Sequence, residues 1–174
     1  EAFVARTGYT GEDGVEILIP KNSGIRLWDV LIENGVTPCG LGCRDTLRLE
    51  AGMHLYGSEM NTTTTPYEAS LGWIVNSKKP YIGQEVLEQQ KEKGVDKKLV
   101  AITLTKRNIA RHDYPVVDGD EVIGKVTSGT WSPSLSIPIA LAYVPTELSK
   151  VGDKVYIKIR GKLEEATVVK KPFY

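Results

Sequence analysis

The sequence predicts an α+β protein in which a mixed α/β region is followed by a small antiparallel β-barrel of Greek-key type. Three observations support this. Segments with helical periodicity occur only before about residue 95. From Lys98 onward the chain contains six short β-type runs with no convincing helix between them. Turn signals divide those runs at DGD, SP, Gly152-Asp153 and Arg160-Gly161.

Residues 2–6 and 15–19 read as strands rich in Val, Ile and Phe, and the TGYTGEDG stretch between them reads as a tight glycine loop. On the second strand Val15, Ile17 and Ile19 share one face, with Glu16 and Leu18 on the other. Residues 24–34 are helical, with Ile25, Trp28, Leu31 and Ile32 in one stripe. Asn22 or Ser23 is the expected cap and Gly35 the expected stop. A second helix is expected over 42–51, closed by Gly52. A strand is expected within 65–76, and a third helix over 82–94, ending at Gly94. The runs LVAITL, YPVV, EVIGKVTS, IALAYV, DKVYIKI and EATVV then follow. The expected units are residues 1–92 and residues 97–174.

Lys+Arg and Asp+Glu both number 22, so no global charge draws the chain to nucleic acid or an acidic membrane. Lys154, Lys158 and Arg160, at alternate positions, read as the wet face of a strand. Hydrophobic residues make up 41%, enough for a packed core. No apolar run approaches the ~20 residues of a membrane span, and no signal-peptide pattern is visible. Cys39 and Cys43 are too few for a disulfide framework or a metal site. They read as small, reduced packing residues of a cytosol-like compartment. The chain opens without Met inside a strand-like run, AFVAR, which reads as a fragment.

Three segments could carry chemistry. TGYTGEDGVE is neither a P-loop nor a dinucleotide fingerprint, because no GK[ST] follows and a strand comes next. It supplies Tyr9 and three carboxylates. Glu12 and Asp13 suit a solvated turn, whereas Glu16, within an apolar strand, needs donors: a helix arginine or a ligand with two parallel N–H groups. On the second helix Arg44 and Arg48 lie one turn apart and require nearby carboxylates, for which Asp45, Glu50 and Glu16 are available. Either they form a structural ion-pair network or one of them faces a ligand. The third segment, IARHDYPV with VTSGTWSPSL, contains His112 but no serine elbow or Cys–His pair.

RTGYTGEDGVE, PCGLGCRDTLRLEAGMHLYG, TPYEASLGW, IGQE, IARHDYPV, VTSGTWSPSL, IALAYV and KPFY occur in this order. Together they resemble the C-terminal half of the glycine cleavage T-protein family, from Arg6 to Tyr174. The resemblance implies transfer of a one-carbon unit from the aminomethyl-lipoyl arm of the H protein to tetrahydrofolate, with release of ammonia and no metal. It implies that residues 1–92 belong to a folate-binding region, that 97–174 form a terminal barrel, and that the missing N-terminal half is a partner of this one. An apolar face should then be left where that half sits. Tyr9, Glu16 and Arg44 match family positions that contact folate. No position here matches the family's catalytic aspartate, so the chain alone is expected to be inactive. Cys43 stands where alanine is common in the family. Two alternatives share these motifs: the folate-binding half of a sarcosine- or dimethylglycine-oxidising enzyme, and a non-catalytic folate- or partner-binding module.

Overall fold

The computed structural model describes residues 1–76 and 78–174. A two-stranded antiparallel ribbon comes first, β1 (Phe3–Ala5) and β2 (Glu16–Leu18), with Phe3 opposite Leu18 and Ala5 opposite Glu16. Helix α1 (Lys21–Glu33) follows, then α2 (Leu41–Glu50). Both end as their glycines require. Gly35 and Gly52 adopt positive φ, and the amides that follow them reach back to the carbonyls of Leu31 and Arg48, which closes each helix. The start of α1 differs from expectation. It begins at Lys21 directly after Pro20, and neither Asn22 nor Ser23 caps it. The Pro20 carbonyl instead accepts from the Gly24 amide and nucleates the first turn.

Residues 65–76 form turns and a short 3₁₀ segment (Gly72–Ile74), not a strand. The Leu71 amide bonds back to the Pro66 carbonyl, and Ser70 sits at φ 57°, so the chain coils on itself. The Tyr67 ring occupies the space a side chain at Gly72 would need. Helix α3 (Gln84–Lys93) then ends at Gly94.

The rest is a closed six-stranded barrel: β3 (Lys97–Leu104), β4 (Pro115–Asp118), β5 (Glu121–Ser132), β6 (Ile137–Pro145), β7 (Lys154–Ile159) and β8 (Lys162–Val169). The order around it is β3-β6-β5-β4-β7-β8, with every neighbouring pair antiparallel. Strand β7 returns beside β4 after the β4-β5-β6 meander, which is the Greek-key connection. Alternation along the strands divides the core in two. Val100, Ile102, Ala140, Ala142, Val144, Val155, Ile157 and Val168 fill the interior. Leu99, Ala101, Ile139, Leu141 and Tyr143 point outward and pack against Leu49 of α2. Lys154, Lys158 and Arg160 are exposed as expected, with Arg160 in the β7–β8 turn.

No residue from Glu1 to Leu47 among those described is buried. The apolar stripe of α1 is open, with Ile25 55% and Trp28 56% exposed. Cys39 and Cys43 are also exposed, so they do not pack as the sequence suggested: this region has no core for them to enter. Among the described residues, no helix is long and apolar enough to cross a membrane.

Candidate functional site

The glycine loop between β1 and β2 lies against the end of α2 and the C-terminal tail. Gly11 takes a positive φ, and a Cβ there would stand 2.7 Å from that of Ala51. Only glycine allows so close an approach in that conformation. The Tyr174 hydroxyl donates to Glu12 at 3.3 Å, and the Phe173 amide bonds the Glu50 carbonyl, so the tail straps loop and helix together.

Two of the three candidate contact residues meet here. The Arg44 guanidinium lies 5.0 Å from the centroid of the Tyr9 ring, a cation–π arrangement. The Tyr9 hydroxyl donates to the His54 carbonyl. Burial pushes the Tyr9 phenol above its ordinary pKa, the largest of several influences. Glu16 is placed differently. It opens β2, accepts the Thr7 hydroxyl at 2.6 Å and is exposed, as are Ile17 and Leu18. The apolar neighbours therefore do not shield it from water in this chain, because their own faces are uncovered.

The two arginines of α2 have separate tasks. Arg48 is 1% exposed and lies at the centre of a buried network. It bonds Asp45 through Nε at 2.8 Å, Glu59 through Nη1 at 2.9 Å and the Ser128 hydroxyl through Nη2 at 2.7 Å. Asp45 serves as its carboxylate, as the spacing suggested. Glu50 does not: it turns to Ser132 and to the hydroxyl and amide of Ser134. The second carboxylate is Glu59, fully buried, which also accepts the Leu55 amide at 2.8 Å. Sequence reasoning missed it because YGSEMN has the composition of a solvated turn. His112 is structural as well, its Nδ1 bonded to the Thr127 carbonyl at 2.6 Å. Among the described residues no group of three or more metal-ligating side chains occurs.

His54 gives a pH test of this region. Its Nε2 bonds the Ala69 carbonyl at 2.7 Å, and burial is the main cause that lowers its pKa below the ordinary 6.5. Protonation therefore favours the unfolded chain. The contribution of His54 to stability is complete above the unfolded pKa and is lost as pH falls toward the folded value. The stability advantage of the wild type over His54→Gln should shrink between about pH 7.5 and about pH 5. An advantage that stays constant in urea unfolding over that range would show that His54 does not titrate in this way.

Comparison with known proteins agrees with this architecture. Residues 1–79 match the family described as "GCVT N-terminal domain", and residues 97–174 match "Glycine cleavage T-protein C-terminal barrel domain". The chain is 58% identical over 174 residues to proteins named aminomethyltransferase from Parasynechococcus marenigrum (strain WH8102) and Synechococcus sp. (strain CC9311). In each case the match covers 99% of this chain and 47% of the relative, so the chain spans about half the length of these curated relatives. The crystal structure of glycine cleavage system aminomethyltransferase T from Bartonella henselae superposes with a TM-score of 0.94 at 35% identity, covering 99% of this chain and 50% of that one. The chain belongs to the glycine cleavage T-protein family.

Proposed function

We propose that this chain is part of a tetrahydrofolate-dependent aminomethyltransferase of the glycine cleavage system, acting in the cytoplasm. The whole protein takes the aminomethyl group from the lipoyl arm of the H protein, passes its one-carbon unit to tetrahydrofolate and releases ammonia. Residues 1–92 supply part of the folate-binding region and residues 97–174 the terminal barrel domain. The exposed apolar stripe of α1 is the face against which the rest of the relatives' polypeptide packs.

The observation that carries this reading is the stacking of Arg44 on Tyr9 beside the glycine loop. Among the described residues no carboxylate pairs with that guanidinium, which leaves it available to an anionic part of folate. Tyr9 supplies an aromatic ring beside Arg44, with its hydroxyl already anchored on the His54 carbonyl. Glu16 accepts one hydroxyl through one oxygen and retains acceptor capacity on the other. The pterin ring presents an amino group and a ring N–H side by side, and a carboxylate accepts both in two parallel, charge-assisted bonds. These residues bind and orient. The acid that the transfer chemistry needs lies outside this chain.

The test is folate binding by the full-length protein. Glu16→Ala should weaken it by roughly 1.5–3 kcal/mol, the range for a hydrogen bond to a charged group. Glu16→Gln should also weaken it, because an amide offers a single acceptor atom. Unchanged affinity in both variants, with normal folding, would make Glu16 a structural partner of Thr7. Methylenetetrahydrofolate formation from aminomethyl-lipoyl H protein tests the reaction itself.

A further inference from the structure

Tyr9, Glu16 and Arg44 all lie outside the barrel, yet the barrel reaches the loop that carries Tyr9 and leads into Glu16. Strand β8 ends at Val169, and the chain then runs along the end of α2. The Lys171 stem crosses the glycine that closes the helix: its Cβ lies 3.2 Å, and its Cγ and Cδ 3.3 Å, from where a Gly52 Cβ would stand. The Phe173 amide bonds the Glu50 carbonyl at 3.0 Å, and its ring packs with Val169 on the cluster of Leu49 and Leu141. Glu50 is itself tied to the barrel through Ser132 and Ser134. Tyr174 is therefore presented from a fixed base. Its hydroxyl donates to the Glu12 carboxylate at 3.3 Å and stands 3.3 Å from the would-be Cβ of Gly11. The glycine loop has few other holds. No residue from 7 to 15 is buried. Among the described residues, the hydrogen bonds that tie those residues beyond their own ribbon are this one and that of Tyr9 to the His54 carbonyl.

We propose that residues 171–174 are a positioning strap: anchored on the barrel and on the end of α2, they hold the glycine loop against the helix, with Tyr174 as the positioning residue. The strap fixes the spacing between Tyr9 and Glu16, on the loop side, and Arg44, on the helix. Tyr174 acts through Glu12 and touches no ligand itself. The physical reason is population. A loop held by the Tyr9 hydroxyl alone samples positions away from Ala51, and the apparent affinity for a ligand falls by the fraction of molecules in which the loop is seated. A strap fastened at Gly52, Glu50 and the Leu49 cluster confines the loop before any ligand arrives, so the ordering cost is met in folding and not in binding. This gives the terminal barrel a part in binding although it supplies none of the three contact residues. The consequence for affinity rests on the folate reading above; the confinement of the loop does not.

The test compares Tyr174→Ala, Glu12→Ala and the double variant in the full-length protein, by amide hydrogen exchange without ligand and by tetrahydrofolate binding. Tyr174 is half-exposed and Glu12 exposed, so the barrel should fold and its strand amides should keep their protection. The amides of residues 8–14 should exchange faster in both single variants. Each should bind tetrahydrofolate about three- to tenfold more weakly, the worth of one hydrogen bond. The double variant should bind no more weakly than either single one, because both remove the same contact. Unchanged exchange in residues 8–14 would overturn the strap. Faster exchange with unchanged affinity, or losses that multiply in the double variant, would overturn its role in positioning. A wild type that does not bind tetrahydrofolate would refute the folate reading instead, and the exchange arm alone would then decide the strap.

Discussion

Arg48→Ala is expected to lower the unfolding free energy of the chain by about 3–5 kcal/mol, the cost of removing one partner from a buried ion pair. The magnitude follows from what remains. Glu59 is fully buried; without Arg48 its carboxylate keeps only the Leu55 amide as a bonded partner, and its second oxygen has none even now. The Ser128 hydroxyl and the Met53 carbonyl lose a donor at the same time. The network also helps hold α2 to the barrel, because Arg48 spans from Asp45 on its own helix to Ser128 on β5. A double variant, Arg48→Met with Glu59→Leu, should recover much of the loss, since apolar side chains of similar size can replace a buried pair at little cost. Chemical denaturation of the three proteins decides this. A single variant within about 1 kcal/mol of wild type would mean that the pair is hydrated and that burial is not the source of its worth.

The barrel was legible in the sequence because its signal is local. Each of the six apolar runs became a strand, and Val155, Ile157 and Ile159 alternate with Lys154, Tyr156 and Lys158 as period two demands. The helices were legible from periodicity and from Gly35, Gly52 and Gly94 at their ends. What was not legible depends on residues distant in the chain. The strand read in VTS continues to Ser132, and its register with β6 shifts between Val126 and Ser128. That bulge leaves Val126 in the barrel interior and directs Ser128 outward to Arg48, which no alternation rule predicts. The segment 65–76 has apolar residues enough for a strand, but it meets β3 only through single bonds such as that from the Leu99 amide to the Glu68 carbonyl, and the Thr65 and Pro66 carbonyls take the Ala69 and Leu71 amides in turns. At the site, Tyr9 and Arg44 could each be named from their motifs. Their contact could not, because it depends on how the glycine loop folds onto the end of α2, where Gly11 meets Ala51. The exposure of Glu16 was equally hidden. Its apolar neighbours were visible in the sequence, but nothing there says whether another layer covers them.

Gly129→Ala is expected to destabilise the chain by about 3 kcal/mol, at the upper end of what overpacking costs. Gly129 lies on β5 opposite Ala140, where the loop before β4 crosses the strand. A Cβ there would stand 1.9 Å from the Ala110 carbonyl oxygen, 3.0 Å from its carbon and 3.2 Å from the Ala140 Cβ. The obstacle is backbone, so no side chain can rotate aside, and the loop would have to withdraw by more than about 1 Å. It is not free to do so. His112 Nδ1 holds the Thr127 carbonyl, the Asp113 amide holds that of Val126, and the Val126 amide bonds the Tyr114 carbonyl in return. Ala110 itself is fully buried in the barrel interior, so withdrawal would also open a cavity. Gly42→Ala provides the contrast. This glycine lies in the first turn of α2 with nothing within 4 Å of its would-be Cβ, so alanine there should stabilise by about 0.5–1 kcal/mol through helix propensity. Urea midpoints at a shared m-value give both numbers. If Gly129→Ala unfolds within about 0.5 kcal/mol of wild type, the loop yields more easily than its three bonds to β5 imply, and the close approach at Gly129 is not what fixes it.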